Sequence, residues 1–196
     1  MKKSNLNVKA KHGDQVGVLC YIRPLHLTDY IRFFILFFIN FKYITTLQWG
    51  RICWYHHIAS LVEEDGVLYV YEAVSPVYRN SGPWEEYKRS KSIKAFLLLR
   101  PNFNFDPETV TRAANTMVGK PYDYWGTCFL QLFYNLSFES VWLGTRNILK
   151  ALKKVYCSEA GANICYEASE GRYFKEPYKA SPMTLIEREV LDHIIE

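Results

Sequence analysis

Two β-rich runs, Trp54 to Val62 and Val67 to Val74, flank the dipeptide Asp65-Gly66. Asp and Gly tolerate the positive φ that a tight two-residue turn demands, so the stretch predicts a β-hairpin. That turn sets the register. Glu64 faces Val67, Ala59 faces Glu72 and His57 faces Val74. Side chains alternate along a strand, so His57, Ala59, Glu72 and Val74 share one face. Glu72 becomes the diagonal neighbour of His57, about 7–8 Å away between backbones and within side-chain reach. His56 falls on the opposite face. A slip of one residue would reverse this choice.

Other elements follow from local signals. Gly13-Asp14 reads as a turn feeding a strand from Gln15 to Cys20. Lys94 to Leu99 reads as another strand, ended by Arg100-Pro101. Asp106-Pro107-Glu108 opens a helix with Pro in its first turn. That helix ends near Gly119, and Pro121 forbids its continuation. A short amphipathic helix is predicted from Thr145. Ile148, Leu149, Leu152 and Val155 form its apolar stripe, and Arg146, Lys150, Lys153 and Lys154 form a solvated basic side. Cys157 opens the next helix, with Ala160, Gly161, Ile164, Cys165 and Ala168 at helical spacing. After Ser181-Pro182, a last helix is expected from Thr184 to about Ile195. No repeat or linker interrupts the chain. Residues 1–196 read as one domain, long enough to bury a core.

Two stretches are unusually apolar, at about 30–49 and 128–143. The first contains the unbroken run from Phe33 to Ile39, bounded by Arg32 and Asn40. That run is far short of the ~20 residues a spanning helix needs. A helix apolar all round is buried or touches a membrane surface; burial is the first reading and lipid contact the second. The net charge of +4 brings no Lys and Arg interleaved with aromatics, so no nucleic-acid partner is expected. The basic N-terminus lacks a following apolar segment and a small-residue cleavage site. A cytoplasmic protein is therefore expected, with membrane association as a variant. Five cysteines at irregular spacing make a poor disulfide framework. Without a CxxC pair or an HExxH motif, no metal or other cofactor is expected.

Cysteine hydrolysis needs a thiolate, a base beside it and a group that orients the base. Cys157 stands at a predicted helix N-terminus, where unpaired N–H groups and the dipole favour negative charge. The same N–H groups suit a developing oxyanion. From spacing alone, a buried core cysteine is the plainer reading. Cys165, two turns later, gains no help from the helix end and reads as core. His57 is the better candidate base, because the hairpin brings Glu72 beside it. Glu72 would accept a proton from one ring nitrogen and leave the other to face a thiol.

The order of motifs resembles the circularly permuted, NlpC-like branch of the papain fold, of the YiiX and YaeF type. Gly13-Asp14 before a strand resembles the opening GD box. His57-Ile58-Ala59-Ser60-Leu61-Val62 resembles the histidine strand, and Tyr71-Glu72-Ala73-Val74 the strand after it. Gly119-Lys120-Pro121-Tyr122-Asp123 resembles the segment leading to the nucleophile. Tyr156-Cys157-Ser158-Glu159 resembles the nucleophile motif, and Ser181-Pro182 a later Pro-containing segment. The likeness runs from about Gly13 to Leu185, and in this branch the histidine precedes the cysteine.

The resemblance implies an α+β fold: an antiparallel sheet packed on helices in a permuted papain-like topology. It implies Cys157 as nucleophile, His57 as base and Glu72 as orienting acid of a thiol hydrolase. The expected substrate is a peptide or cell-wall-peptide amide, cleaved through an acyl-enzyme. The apolar insertions motivate an alternative, a lipid-directed acyl hydrolase or acyltransferase like the lecithin:retinol acyltransferase-like branch. A third reading is an inactive protein that kept the fold.

Overall fold

The computed structural model describes residues 9–20, 57–90, 93–123, 154–180, 185–186 and 191–194. Strand β1 (Gln15–Cys20) begins where the sequence places it. Strands β2 (His57–Glu64) and β3 (Val67–Val74) form the expected hairpin. Asp65 and Gly66 both have positive φ, 51° and 77°, as a type I′ turn requires. Ala59 pairs with Glu72 and Glu64 with Val67, the register read from the sequence. Strand β4 (Val77–Pro83) returns along β3 and leads into a single helical turn, α1 (Trp84–Tyr87). Strand β5 (Ile93–Pro101) is longer than the apolar run that announces it. With β6 (Leu191–Ile194) the sheet has six strands in the order β4-β3-β2-β1-β5-β6, each pair antiparallel.

The Gly-Asp pair before β1 joins three strands. Gly13 N–H donates to Leu61 O, and Leu61 N–H donates to Asp14 O. The Asp14 carboxylate accepts from Arg100 of β5 through Nε at 2.9 Å and Nη2 at 2.8 Å. Gly13 has φ 83°, and a Cβ there would lie 2.5 Å from the Phe105 ring. Only glycine fits both its backbone conformation and that space.

Alternation along the strands divides the core between the two sheet faces. Ala59, Leu61, Val16, Val18, Val70 and Leu98 pack with Trp84 on one side. On the other, Ile58 and Leu97 meet Ala162 and Cys165, while Val62, Tyr71 and Ala73 meet Val110, Ala113 and Ile164. That second face carries helices α2 (Pro107–Asn115) and α3 (Cys157–Ala168). Full burial of each large aliphatic side chain contributes roughly 1.5–3 kcal/mol relative to exposure. Helix α2 starts with Asp106 accepting the N–H groups of Glu108 and Thr109, and Pro107 occupies the first turn. It ends at Asn115, and a turn carries the chain on to Gly119. Helix α3 lies close to the sheet. A Cβ on Gly161 would come within 2.9 Å of both Gln15 Oε1 and Ile58 Cγ2.

Two local expectations fail. Val155 does not continue a helix; it forms a parallel bridge with Tyr122. That bridge delivers the chain in extended form to the start of α3. The final segment is not one helix. Leu185 and Ile186 are helical, but Leu191–Ile194 is strand β6 on the outer edge of β5. The ladder to β5 supplies hydrogen bonds that outweigh a weak local helical preference. The expectations for Trp54 to His56, for the apolar stretches 30–49 and 128–143, for residues 145–153 and for Ser181-Pro182 lie outside the described residues.

Candidate active site

His57 and Cys157 are the first residues of β2 and α3. Helix α3 packs on the Ile58 face of the sheet, and His57, one residue earlier, leaves by the other face. Cys157, at the N-terminus of α3, nonetheless reaches the imidazole. The sulfur and the imidazole are hydrogen-bonded. Nε2 of His57 lies 2.6 Å from Glu72 Oε2, which leaves Nδ1 for the sulfur. The diagonal placement of His57 and Glu72 follows from the hairpin register. Cys157 and Glu72 are buried, and the His57 side chain is 16% exposed.

The entry to α3 favours negative charge at Cys157. Tyr156 occupies the N-cap in an extended conformation, and its side chain makes no capping bond. First-turn N–H groups have no acceptor inside the helix. The N–H groups of Ser158 and of Ile58 both donate to the sulfur. The residues flanking Cys157 are tied down. Tyr156 Oη donates to Tyr178 O, and Ser158 Oγ donates to Ala180 O at 2.7 Å. These bonds hold the helix start against the 3-10 turn Pro177–Lys179.

The electrostatics follow from that geometry. Burial alone would raise the Cys157 thiol. The charge and hydrogen bond of His57, with the two backbone N–H groups, outweigh it and hold the thiol below its ordinary value. Burial alone would lower His57. Cys157 and Glu72 reverse that and raise the imidazole to about 10. Burial would raise Glu72, but donors from His57, Ser81 and Tyr87 keep it below the usual carboxylate range. Cys165 has burial without these partners, and its thiol is pushed up to about 12. It packs in the core, as the sequence suggests.

The structure thus brings together Cys157, His57 and Glu72. It adds two residues that sequence reasoning missed. Tyr87 Oη donates to Glu72 Oε2 at 2.8 Å, and the Ser81 hydroxyl bonds the same carboxylate. A four-residue helix and a polar edge strand carry these two, and neither leaves a periodic signal. His12 belongs elsewhere. Its Nδ1 accepts from Glu63 N–H, and its Nε2 lies 3.0 Å from Pro107 O, so it ties the β2–β3 hairpin to the start of α2.

Comparison with protein-family models and with curated proteins returns no match. Among solved structures, the chain is similar to the metalloprotein YiiX from Escherichia coli O157:H7, with a TM-score of 0.57 and 14% sequence identity. The match covers 95% of this chain and 97% of that one. At this identity the likeness concerns the fold: an antiparallel six-stranded sheet with helices packed on it, arranged as in YiiX.

The description of YiiX as a metalloprotein raises the question of a metal here. Cys157, His57 and Glu72 form a chain of contacts rather than a chelate. The imidazole stands between sulfur and carboxylate and spends one ring nitrogen on each. Glu72 Oε2 already meets both His57 and Tyr87. No group of three or more metal-ligating side chains converges among the described residues. These donors do not fit a metal centre.

Proposed function

We propose that the chain is a cysteine hydrolase that cleaves an amide bond, with a permuted papain-like topology. One observation carries this reading: a cysteine at an uncapped helix N-terminus bonded to a histidine that is itself bonded to a buried carboxylate. Cys157, held below its ordinary value, gives its proton to His57 to form a thiolate–imidazolium pair. The sulfur attacks the substrate carbonyl carbon, and the N–H of Cys157 stabilises the oxyanion that forms. His57 gives its proton to the leaving amine as the C–N bond breaks. Neutral His57 then takes a proton from water, whose oxygen attacks the thioester. The C–S bond breaks, the carboxylic acid leaves, and the thiolate–imidazolium pair is restored. Glu72 holds the ring with Nε2 protonated throughout.

The test is turnover of a panel of peptide amides carrying a fluorogenic leaving amine. Cys157→Ala and His57→Ala should each abolish release by the protein. Full activity in Cys157→Ala would exclude the mechanism.

The apolar run Phe33 to Ile39 favours a second substrate class, acyl groups held in a lipid surface. Liposome flotation separates the two. Flotation, together with loss of turnover when that run is deleted, would select the lipid-directed acyl hydrolase or acyltransferase. A protein that stays at the bottom of the gradient would leave the peptide amide.

A further inference from the structure

We propose that Tyr87 is a positioning residue of this site, a donor that fixes the charge state of Glu72 and through it the tautomer of His57. The inference rests on the hydrolase reading above. Glu72 Oε2 meets two groups, His57 Nε2 at 2.6 Å and Tyr87 Oη at 2.8 Å. The phenol donates its proton to that oxygen. Donation from the phenol stabilises negative charge on Oε2, and to an ionised Oε2 His57 supplies the second proton from Nε2. A protonated Glu72 would instead donate to Nε2. The ring would then carry its proton on Nδ1 and could not take one from Cys157. Tyr87 thus selects the tautomer that leaves Nδ1 free to act as the base.

Tyr87 is itself held in place. It ends α1, where its ring stacks on Trp84 at 6.4 Å between centroids. Trp84 is buried and meets Phe96 of β5 edge-on at 5.0 Å. The remaining groups around Glu72 support ionisation. Arg79 of β4 stands opposite Glu72 in the strand register, and its Nε donates to Ser81 Oγ at 3.3 Å. Ser81 bonds the carboxylate in turn. Tyr78 and Tyr71 occupy the other face of the sheet.

The experiment is the pH dependence of Cys157 alkylation by iodoacetamide, followed on the Cys157 peptide by mass spectrometry. Tyr87→Phe keeps the ring and removes the hydroxyl that donates to Glu72. Its rate at pH 6.5 should fall roughly 3–10-fold, and its acidic limb should move to higher pH. In a Glu72→Gln background, Tyr87→Phe should change little. Tyr71→Phe removes another partly buried hydroxyl, one bonded to Glu64 and Asn115, and should leave the profile unchanged. A wild-type profile in Tyr87→Phe overturns the role, as does an equal shift in Tyr71→Phe. A wild-type Cys157 as unreactive as Cys165 would instead remove the hydrolase reading itself.

Discussion

Replacing His57 by Gln removes the imidazolium and keeps a side chain able to donate to Glu72. The consequence for Cys157 can be bounded from within the molecule. Burial raises this thiol, while His57 and the N–H groups of Ile58 and Ser158 lower it. Cys165 shows the effect of burial by itself, a shift from 9.0 up to about 12. Without His57, the Cys157 thiol should return to the interval between those two values. At pH 7 a thiol at 9.0 is only about 1% ionised, less than the wild-type thiol that His57 holds lower. For a thiol at 9.0 the reactive species falls by up to about 100-fold, and further for one nearer the Cys165 value. A more basic thiolate is intrinsically more nucleophilic, with a Brønsted slope of about 0.4–0.5, which recovers about 3-fold for each tenfold rise in basicity. Alkylation of Cys157 at pH 7 should therefore slow about 3-fold for each tenfold loss of thiolate. The assay is time-resolved iodoacetamide labelling, with the Cys165 peptide as internal reference. Access to the sulfur does not depend on pH, so the pH profile separates access from ionisation. The wild-type rate should climb less steeply between pH 7 and 8 than the His57→Gln rate, which should rise about tenfold per unit. Equal rates in the two proteins, or equally steep profiles, would refute the reasoning.

The ion pair also shapes stability. His57 is raised from 6.5 to about 10, so its contribution is full below 6.5 and lost as pH rises through about 10. Cys157 is lowered from 9.0, so its contribution is full above 9.0 and lost as pH falls through its folded value. The two slopes cancel between 6.5 and 9.0. The stability difference between wild type and Cys157→Ala, from urea unfolding, should be flat across that window and decline on both sides. Gly161→Ala should press α3 away from Ile58 and Gln15, since the added Cβ meets each at 2.9 Å. Overpacking costs about 1–3 kcal/mol and the better helix former returns up to about 1, leaving a net loss of about 1–2 kcal/mol. Tm should drop by about 2–8 °C in calorimetry, and Cys157 labelling should slow as the helix start moves off the Ile58 N–H.

The hairpin was the most legible part of the chain. Asp65-Gly66 admits one tight turn, and the turn sets the pairing by itself, because residues on both faces of β2 are buried. That register alone brings Glu72 to His57. Strand β4 was hidden because Arg79, Asn80, Ser81, Gly82 and Pro83 read as turn residues. An edge strand tolerates them, since among the described strands β4 has β3 as its single neighbour in the sheet. Strand β6 was misread because a four-residue strand is specified by its partner β5 more than by its own pattern. The meeting of Cys157 with His57 was not legible from spacing. It depends on how α3 lies across the sheet, which Gly161 and Ile58 decide, and only the ordered resemblance of motifs pointed to it. Tyr87 was invisible because its role comes from one long-range hydrogen bond.

The central claim is that Cys157 becomes acylated during turnover. Its most direct test is to quench the protein early in reaction with an activated acyl substrate and locate the adduct by peptide mass spectrometry. The acyl mass should sit on Cys157, vanish as the substrate is consumed, and be absent in Cys157→Ala. Turnover with no adduct on Cys157, or an adduct that persists on another residue, would contradict the account.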